Sequence, residues 1–398
     1  LAQPKMGLIR NLLCETHYPE NSWTMSEDGS PNYPYDLATH TMFEFMGVRV
    51  DAHNKNISGN FSILDGPEIL RGKTQSGAEG YYIDCTLNNS YKAVNLLMAK
   101  GVKIMRLDVK TDKNVAGDFF IPAADEDLIR IVANETGVDF HAVDEMPRDG
   151  IHQLQLGRLG LFQRYDGGNM DEGWTRLCLE NFSFPYFSLM SADVKEGKLN
   201  KKCEVIVLPD DSPERIKGIY SANSRRKPEK YPEKYKSGIG NEGVEAMKEF
   251  VKEGGTLVAL GSSYEFVVEE FDLKIRNITD GVDSKNLFCP GSTVKAEFDN
   301  THPLAYGMPD EGLVLYRSSP VFEIIPSRTN KDYETIVRYK EEDLLQSGWL
   351  IGEKIIAKKP AMVTTNYGRG KIVIIGFRTQ HRNQTDGTFK LLFNSIFQ

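Results

Sequence analysis

The stretch RLGLFQRYDGGNMDEGWTRLCLENFSFPY, residues 158–186, combines a short buried strand, a polar turn and an amphipathic helix. Leu159, Leu161 and Phe162 predict the strand, Asp166 to Asn169 predict a Gly-rich turn, and Glu172 to Asn181 predict the helix. A strand followed at once by a helix is the building unit of an α/β sheet. We therefore expect this stretch to open such a sheet.

The predicted helix has the pattern of one that packs on strands. Trp174, Leu177 and Cys178 are three and four residues apart, which places them on one face. In open parallel sheets, ligands bind beyond the carboxyl ends of the strands, and residues 164–172 would lie there. A polar turn followed by a helix cap explains the same residues without a ligand. Both interpretations stay open on the sequence alone.

The chain after this stretch continues the alternation of strands and helices. Cys203 to Pro209 is a continuous apolar run, Gly243 to Glu253 predicts a helix, and Thr256 to Leu260 predicts a third strand. An apolar run of this kind is typical of a strand covered on both faces. The order strand, helix, strand therefore favours a parallel sheet wound with right-handed crossovers.

From residue 272 the pattern changes to short strands that alternate or carry β-branched residues, such as Thr293 to Phe298. We interpret residues 272–358 as a β-rich insertion. Ala361 to Thr365 and Lys371 to Phe377 predict a hairpin, and Thr388 to Phe397 predicts the closing helix. Residues 158–398 are thus expected to form one domain that contains the insertion.

The chain before residue 158 predicts a smaller domain. Residues 1–35 read as a short N-terminal helix and a long loop, and residues 36–147 as a small α/β domain. Its first helix is expected to begin near Tyr35 and to end at Gly47, before a strand from Val48.

A second element of this small domain is a predicted βαβ unit. It consists of a strand from Tyr81 to Asp84, a helix from Ser90 to Lys100 and a strand from Val102 to Leu107. Pro147 to Gly157 is predicted to be the linker to the larger domain.

The bulk properties exclude several classes of protein. A chain of 398 residues and 44.8 kDa suggests about two or three domains. No apolar run approaches the ~20 residues needed to span a bilayer, so no membrane span is expected. A net charge of -8 disfavours a nucleic-acid partner. The single basic cluster, residues 225–236, is predicted to be an exposed loop.

Three blocks of sequence resemble one known kind of protein. They begin with MDEGWTR at residue 170, with THPLAYGMP at residue 301, and with GFRTQHRNQ at residue 376, which is followed by GTFKLLFN at residue 387. Together they are similar to the region that follows the catalytic domain in large bacterial zinc carboxypeptidases of the carboxypeptidase A class.

The resemblance implies a fold and a setting. The fold would be α/β, with a small α/β domain followed by a class I glutamine amidotransferase-like parallel-sheet domain over residues 158–398. The partner would be a preceding peptidase domain of the same polypeptide, with peptide as the substrate and a secreted or periplasmic location. No cofactor is expected in this chain, because the zinc would belong to the upstream catalytic domain.

An alternative to the accessory role is that this chain contains a catalytic pair. In amidotransferases of this fold, a Cys nucleophile sits in a tight strand-to-helix turn. The corresponding turn here is Leu260-Gly-Ser-Ser-Tyr, which contains no Cys. Ser262 could act as nucleophile with His381 as base. Alternatively, Ser262 and Ser263 cap the helix that begins near Glu265.

A metal site in this chain is not predicted. His17 and Glu20 have the H-x-x-E spacing of a zinc carboxypeptidase, and His141 could be a third ligand. However, Pro19 places the motif in a loop, and short motifs often match by chance. The five cysteines include no C-x-x-C pair, so neither a thiolate metal site nor a disulfide framework is indicated.

The remaining candidate is a polar cleft where two strand-end loops meet. Arginine binds carboxylates through a forked pair of donors, so such loops could bind a small anionic or peptide ligand. An internal network of ion pairs that joins the first and last loops explains the same residues. The candidate ligand-binding residues are Arg164, Asp166, Glu172, Arg176, Arg378, Gln380 and Arg382, with His381 beside them.

Three functions remain on the sequence alone. The first is a non-catalytic accessory region that supports a zinc carboxypeptidase domain or binds its substrate. The second is an independent hydrolase that uses Ser262 and His381. The third is a cell-surface module that binds carbohydrate or peptide, which the aromatic and β-rich insertion favours without a motif.

Overall fold

The computed structural model describes residues 4–53, 55, 57–75, 79–122, 124–166, 168–219, 232, 235, 236, 238–326 and 332–397. Most of the predicted basic loop at 225–236 lies outside these residues. None of the helices in the described ranges is long and apolar enough to cross a membrane.

Two sheets, one small and one large, contain most of the strands. The strands are β1 (Gly80–Ile83), β2 (Met105–Leu107), β3 (Phe119–Pro122), β4 (His141–Val143), β5 (Ile151–Gln153), β6 (Leu159–Gln163), β7 (Tyr186–Met190), β8 (Val205–Leu208), β9 (Thr256–Leu260), β10 (Ile275–Asn277), β11 (Pro290–Phe298), β12 (Glu311–Arg317), β13 (Phe322–Ile324), β14 (Tyr333–Tyr339), β15 (Leu345–Ser347), β16 (Pro360–Tyr367) and β17 (Gly370–Ile375). The helices are α1 (Met6–Leu13), α2 (Met42–Phe45), α3 (Asn88–Ala99), α4 (Glu126–Thr136), α5 (Met170–Asn181), α6 (Ser191–Glu196), α7 (Pro213–Lys217), α8 (Gly240–Lys252), α9 (Ser263–Glu270), α10 (Glu353–Ile356) and α11 (Phe389–Ile396).

The small sheet has the strand order β4-β1-β3-β2-β5, and each pair is antiparallel. Its first four strands follow the βαββαβ pattern of a split βαβ fold, with α3 and α4 as the two helices. The predicted βαβ unit is therefore split, because β3 lies between β1 and β2. The predicted linker is partly wrong, since residues 151–153 form the edge strand β5.

The large sheet confirms the α/β class. Its strands β7, β6, β8, β9 and β17 are neighbours in that order and are parallel. All four side chains of β8, Val-Ile-Val-Leu, are buried, as are all five of β9. The continuous apolar runs thus form central strands with both faces covered.

The β-rich stretch at 272–358 joins this same sheet. The strand β16 pairs antiparallel with β17, and β14, β11 and β12 follow outward from it. Only β10 and β13 form a separate two-stranded ribbon among the described strands. The insertion therefore widens the parallel sheet instead of forming a body beside it.

The segment 36–47 belongs with the large sheet, contrary to its assignment to the small domain. Its helix α2 has only four residues, and Phe45 packs with Leu37 and Leu315. The Ala38 N–H donates to the Gly291 carbonyl at 2.9 Å. Within the described residues no strand begins at Val48. Tertiary contacts with β11 and β12 have overridden the helical periodicity of this segment.

The two sheets share one hydrophobic core. Tyr91 on α3 is fully buried, and its ring centroid lies 5.4 Å from that of Phe393 on α11 and 5.8 Å from that of Phe397. A single cluster of buried side chains includes both the α3 face and the strands of the large sheet. The predicted small domain is therefore not packed independently of residues 389–397.

Candidate functional site

A polar cleft of about 640 Å³ lies at the carboxyl edge of the parallel strands. The strand order β7-β6-β8-β9-β17 is the 2-1-3-4-5 order of a doubly wound sheet, in which the winding direction reverses between β6 and β8. Ligands of such sheets bind at this switch point. The cleft, named here the switch-point cleft, is lined by Arg164, Gly168, Asn169, Met170, Asp171, Trp174, Asp210, Arg215, Arg317, Arg378 and His381.

The start of α5 directs a carboxyl group inward. The Asn169 side chain caps the helix by accepting from the N–H groups of Asp171, at 2.9 Å, and Glu172, at 3.3 Å. Asp171 Oδ1 in turn accepts from the Asp210 N–H and from Gln380 Nε2, at 3.2 and 2.9 Å. Asp171 therefore links the first, third and last strand-end loops of the parallel sheet.

Burial raises the pKa of Asp171 to about 6, although the nearby Arg378 guanidinium opposes the shift. The folded state thus favours the neutral carboxyl group more than the unfolded chain does. A side chain only 7% exposed is shielded from bulk water, so this preference has an appreciable effect on stability.

Two buried or half-buried ion pairs join the strand-end loops at this edge of the sheet, and the first of them crosses the switch point. Arg164, after β6, binds Asp211, after β8, at 2.5 Å, and both side chains are almost completely buried. Arg378, after β17, binds Asp210. Burial alone would raise the pKa of Asp210, but the Arg378 charge and hydrogen bond, together with the Ser262 N–H, lower it below its usual range.

The turn after β9 completes this arrangement. Gly261 has φ +54, and a Cβ there would lie 2.5 Å from Asp210 Oδ1. The same oxygen accepts from the Ser262 N–H at 2.6 Å. Glycine is therefore required for the close approach of Asp210 to the backbone of the turn.

The cleft holds more positive charge than its own carboxylates neutralise. Arg317, at the end of β12, forms no side-chain hydrogen bond or ion pair with any described residue, unlike Arg164 and Arg378. Burial lowers the pKa of Arg317, the charges of Arg378 and Arg382 add to this shift, and the charges of Asp36 and Asp210 partly oppose it. Arg215 is half-exposed and lies 3.6 Å from Asp211, which already binds Arg164. Two guanidinium groups are thus only weakly compensated.

The histidine of the cleft is held as a neutral ring. His381 is 2% exposed, and its ring meets the Trp174 ring edge-on with centroids 4.8 Å apart. Neither ring nitrogen has a hydrogen-bond partner among the described residues. Burial, followed by the charges of Arg382, Arg378 and Arg317, lowers the pKa of His381 to about 3. A group with this pKa is a weak general base at neutral pH.

Ser262 and His381 are not joined in the structure. Neither nitrogen of His381 bonds to Ser262, and Ser262 is not among the residues that line the switch-point cleft. Ser263, its neighbour, donates its hydroxyl to the Pro209 carbonyl and is fully buried. The predicted Ser–His contact is therefore absent from the described geometry.

Most of the other predicted site residues do not line the cleft and instead form ion pairs or hydrogen bonds around it. Glu172 pairs with Arg176 at 2.5 Å along α5, outside the cleft lining, and Arg382 pairs with Asp36 at 2.7 Å. Gln380 is buried and donates to Asp171 and Thr175. The carbonyl of Asp166 accepts from Arg164. The first and last loops are thus joined through Gln380, and Arg378 binds Asp210 in the loop after β8.

Several lining residues were not predicted as site residues. Asp210 could have been found from its position directly after the apolar run of β8, since parallel strands end at a common edge. Arg215 follows in the same loop. Arg317 had no such signal, because it belongs to an antiparallel strand that reaches the cleft only through the pairing of β11, β14, β16 and β17.

The candidate metal ligands His17 and His141 lie in different parts of the structure. The backbone of His17 pairs with Gly348, beside the large sheet, whereas His141 is on β4 of the small sheet and stacks on Tyr82. Asp84, Cys85 and Asp118 form a compact group of potential ligands. Asp118, however, already accepts hydrogen bonds from the backbone N–H groups of Cys85 and Val115 and from the side-chain amide of Asn114. These hydrogen bonds hold the loop around residues 114–118 against Cys85.

Asp171→Asn is expected to change the pH dependence of stability. Because the folded-state pKa of Asp171 is above its ordinary value, its contribution is most favourable at low pH and is lost as the pH rises through about 4 to 6. The loss in the free energy of unfolding is about 2–3 kcal/mol. The amide side chain of the variant has no proton to lose in this range. Urea titrations should therefore show that the free energy of unfolding of the variant, minus that of the wild type, rises by about 2–3 kcal/mol between about pH 4 and pH 7.

The exposed Asp112→Asn serves as the matched control and should track the wild type over the whole range. Parallel curves for the Asp171→Asn variant and the wild type would contradict a buried, proton-retaining Asp171.

Comparisons with known proteins give only distant similarities. No model of a known protein family matches the sequence, and no curated protein matches it. Among solved structures, a cytoplasmic protein of Salmonella typhimurium is 15% identical with a TM-score of 0.36, and the match covers 61% of this chain and 100% of that one. A protein of Bacteroides uniformis described as ThuA-like is 13% identical, with a TM-score of 0.32 and coverage of 59% and 91%.

A third solved structure, from Thermoplasma acidophilum and described as belonging to a GMP synthase, is 9% identical, with a TM-score of 0.33 and coverage of 60% and 94%. Similarities at this level add nothing to what the strand order itself shows. The resemblance to zinc carboxypeptidases stays a sequence-based prediction. The chain is an α/β protein with a polar cleft at the switch point of its large sheet.

Proposed function

We propose that this chain is a non-catalytic accessory module that binds the carboxylate of a small ligand, such as the C-terminus of a peptide, in the switch-point cleft. Arg317 is the main reason for this proposal, because it lines the cleft and has no side-chain hydrogen bond or ion pair with a described residue. A guanidinium group offers paired donors that match the two oxygens of a carboxylate.

The arrangement of the other arginines supports Arg317 as the main ligand contact. Arg164 and Arg378 are committed to Asp211 and Asp210. Arg215 is half-exposed and is only loosely held by Asp211. A ligand carboxylate beside Arg317 would relieve the repulsion among these cations.

The cleft also has room and an apolar wall for the body of a ligand. Its volume of about 640 Å³ lies within the usual range for small-molecule sites, roughly 300–1,000 Å³. Trp174 and the exposed side chain of Met170 are part of its lining. A short peptide with an apolar C-terminal residue fits both features.

Binding without catalysis is supported by the turn after β9. It contains no Cys, the Ser262 N–H is engaged by Asp210, and His381 is a weak base without a contact to Ser262. A serine nucleophile needs a positioned base. Labelling of Ser262 by a serine-directed phosphonate, lost in Ser262→Ala, would contradict the non-catalytic proposal.

The proposal also includes the protein in which the module acts. We infer from the three sequence blocks that the module accompanies a preceding zinc carboxypeptidase domain, in a secreted or periplasmic protein. A cleft for a peptide carboxylate suits such a module, because it would hold the substrate or product of that enzyme. The carbohydrate-binding alternative has no comparable cluster among the described residues to support it.

Arg317→Met should abolish most of the binding without loss of fold. We expect acetyl-Ala-Phe, with a free carboxylate, to bind the wild type, and its C-terminal amide to bind at least tenfold more weakly. A charge-assisted hydrogen bond contributes about 1.5–3 kcal/mol, so Arg317→Met should weaken binding of the acid roughly 10–150-fold. Isothermal titration of the full chain measures both values.

The matched control is Arg338→Met, which removes an exposed arginine on β14 that donates to the Lys358 carbonyl. It should bind the acid like the wild type. The melting temperature of Arg317→Met should stay within a few degrees of the wild-type value, because no ion pair with a described residue is lost. Equal affinities for acid and amide, or no binding of either, would contradict the proposal.

A further inference from the structure

A second cavity, of about 340 Å³, lies where the small and large sheets meet. Arg106 is on β2, His152 is on β5 and Leu154 directly follows β5, all on the side of the small sheet. On the side of the large sheet, Lys371 is on β17 and Asn394 is on α11. The cavity opens at the amino ends of β9 and β17, which is the edge opposite the switch-point cleft. We name it the junction cavity.

The charge of the junction cavity is one-sided. It is lined by the cationic side chains of Arg106, Arg369 and Lys371, and none of its described lining residues is acidic. Its remaining walls are partly apolar and include Leu154, Pro303, Leu304, Tyr306 and Phe397.

Arg106 is a buried cation without a carboxylate partner. The residue is 3% exposed, and it forms no ion pair with any described Asp or Glu. Nη2 donates to Asn394 Oδ1 at 2.6 Å and to the Tyr91 hydroxyl at 3.4 Å, and Nε donates to the Gly117 carbonyl at 3.3 Å. Nη1 donates to no described residue and is not completely shielded from solvent.

The surroundings of this guanidinium hold it in place but do not neutralise it. Its central carbon lies 5.0 Å from the ring centroid of Tyr306 and 5.1 Å from that of Phe119. Such rings attract a cation by about 0.5–2 kcal/mol, less than the cost of burying an unpaired charge. A buried cation of this kind is normally paired with an anion.

We propose that the junction cavity binds a compact organic carboxylate, with its carboxylate on Arg106 Nη1 and its apolar body against Leu154, Leu304 and Phe397. Lys371 and Arg369, at the rim, draw the anion inward and add further donors. Because Arg106 is on β2 and Asn394 is on α11, a bound anion would contact both sheets and hold them together.

The cavity has a cationic part and an apolar part, and together these indicate the class of ligand. A cationic end next to an apolar end selects a molecule that carries both a carboxylate and hydrocarbon. Inorganic phosphate has no apolar part, and a neutral amide of the same shape leaves the arginine unpaired. These differences make 3-phenylpropionate, 3-phenylpropanamide and phosphate suitable probes.

The experiment uses the full chain carrying Arg317→Met, so that the switch-point cleft does not contribute. Isothermal titration calorimetry and a rise in the melting temperature should both show binding of 3-phenylpropionate. The amide and phosphate should bind at least tenfold more weakly. Equal binding of the acid and the amide, or no binding of the acid, would overturn the proposal.

Two further substitutions separate a ligand site from a structural contact. Lys371→Met acts at the rim and should weaken 3-phenylpropionate binding several-fold while the chain stays folded. Arg106→Met should abolish binding, with a lower melting temperature that no longer rises on addition of the acid. Lys354→Met, a control on α10, should bind like its Arg317→Met parent. Unchanged binding in Lys371→Met and Arg106→Met would show that Arg106 only fastens the two sheets.

Discussion

Arg164→Met is expected to lower the free energy of unfolding by about 3–5 kcal/mol, because it leaves the buried Asp211 carboxylate without its main partner. The two side chains are 3% and 4% exposed and lie 2.5 Å apart. Arg215, at 3.6 Å and half-exposed, offers only partial compensation. Urea denaturation followed by far-UV circular dichroism measures the change.

A double substitution tests whether the charge itself causes this loss. In Arg164→Met with Asp211→Leu, both buried charges are replaced by apolar side chains, so stability should recover by at least about 1.5 kcal/mol relative to the single variant. The control is Arg276→Met, which breaks the exposed pair with Glu323 and should cost about 1 kcal/mol or less. Equal losses in Arg164→Met and Arg276→Met would contradict a buried pair.

Phe393→Ala should destabilise the chain by about 3–5 kcal/mol and should do so for both sheets together. Phe393 is fully buried and packs against Tyr91 of the small sheet's helix, with the ring centroids of Phe182 and Phe184 each 4.9 Å away. The cavity left by its ring would therefore weaken the packing of α3 as well as that of α11.

Hydrogen exchange resolves the response of each sheet. Amides of β1 and β3 should lose protection by the same factor as those of β6 and β8. Phe61→Ala, which removes a ring that is 75% exposed, serves as the control and should change stability by less than about 0.5 kcal/mol. Two separate unfolding transitions, with only one shifted by Phe393→Ala, would mean that the sheets are independent.

The parallel half of the large sheet could be predicted because its signals are local. The apolar runs at β6, β8 and β9 are each followed by turn residues, and the helices between them have one apolar face. The α/β class depends only on that alternation. The position of Arg164, Arg378 and His381 at one edge follows from the same pattern, since parallel strands end together.

The rest depends on contacts between distant residues. Nothing near Arg317 indicates that its strand extends the parallel sheet, because the pairing passes through three other strands. Likewise, β3 inserts between β1 and β2 although the sequence between them reads as a simple βαβ unit. Gln380 and Glu172 were predicted in an open cleft, whereas burial and pairing along α5 place both in structural contacts.

The packing of α11 against α3 also has a consequence for synthesis of the chain. About 240 residues separate β5 from α11, and at a translation rate of roughly 5–20 residues per second this interval lasts roughly 10–50 s. During that time the nascent small sheet has no cover for the aromatic face around Tyr91. We expect it to need chaperones on the ribosome until α11 emerges.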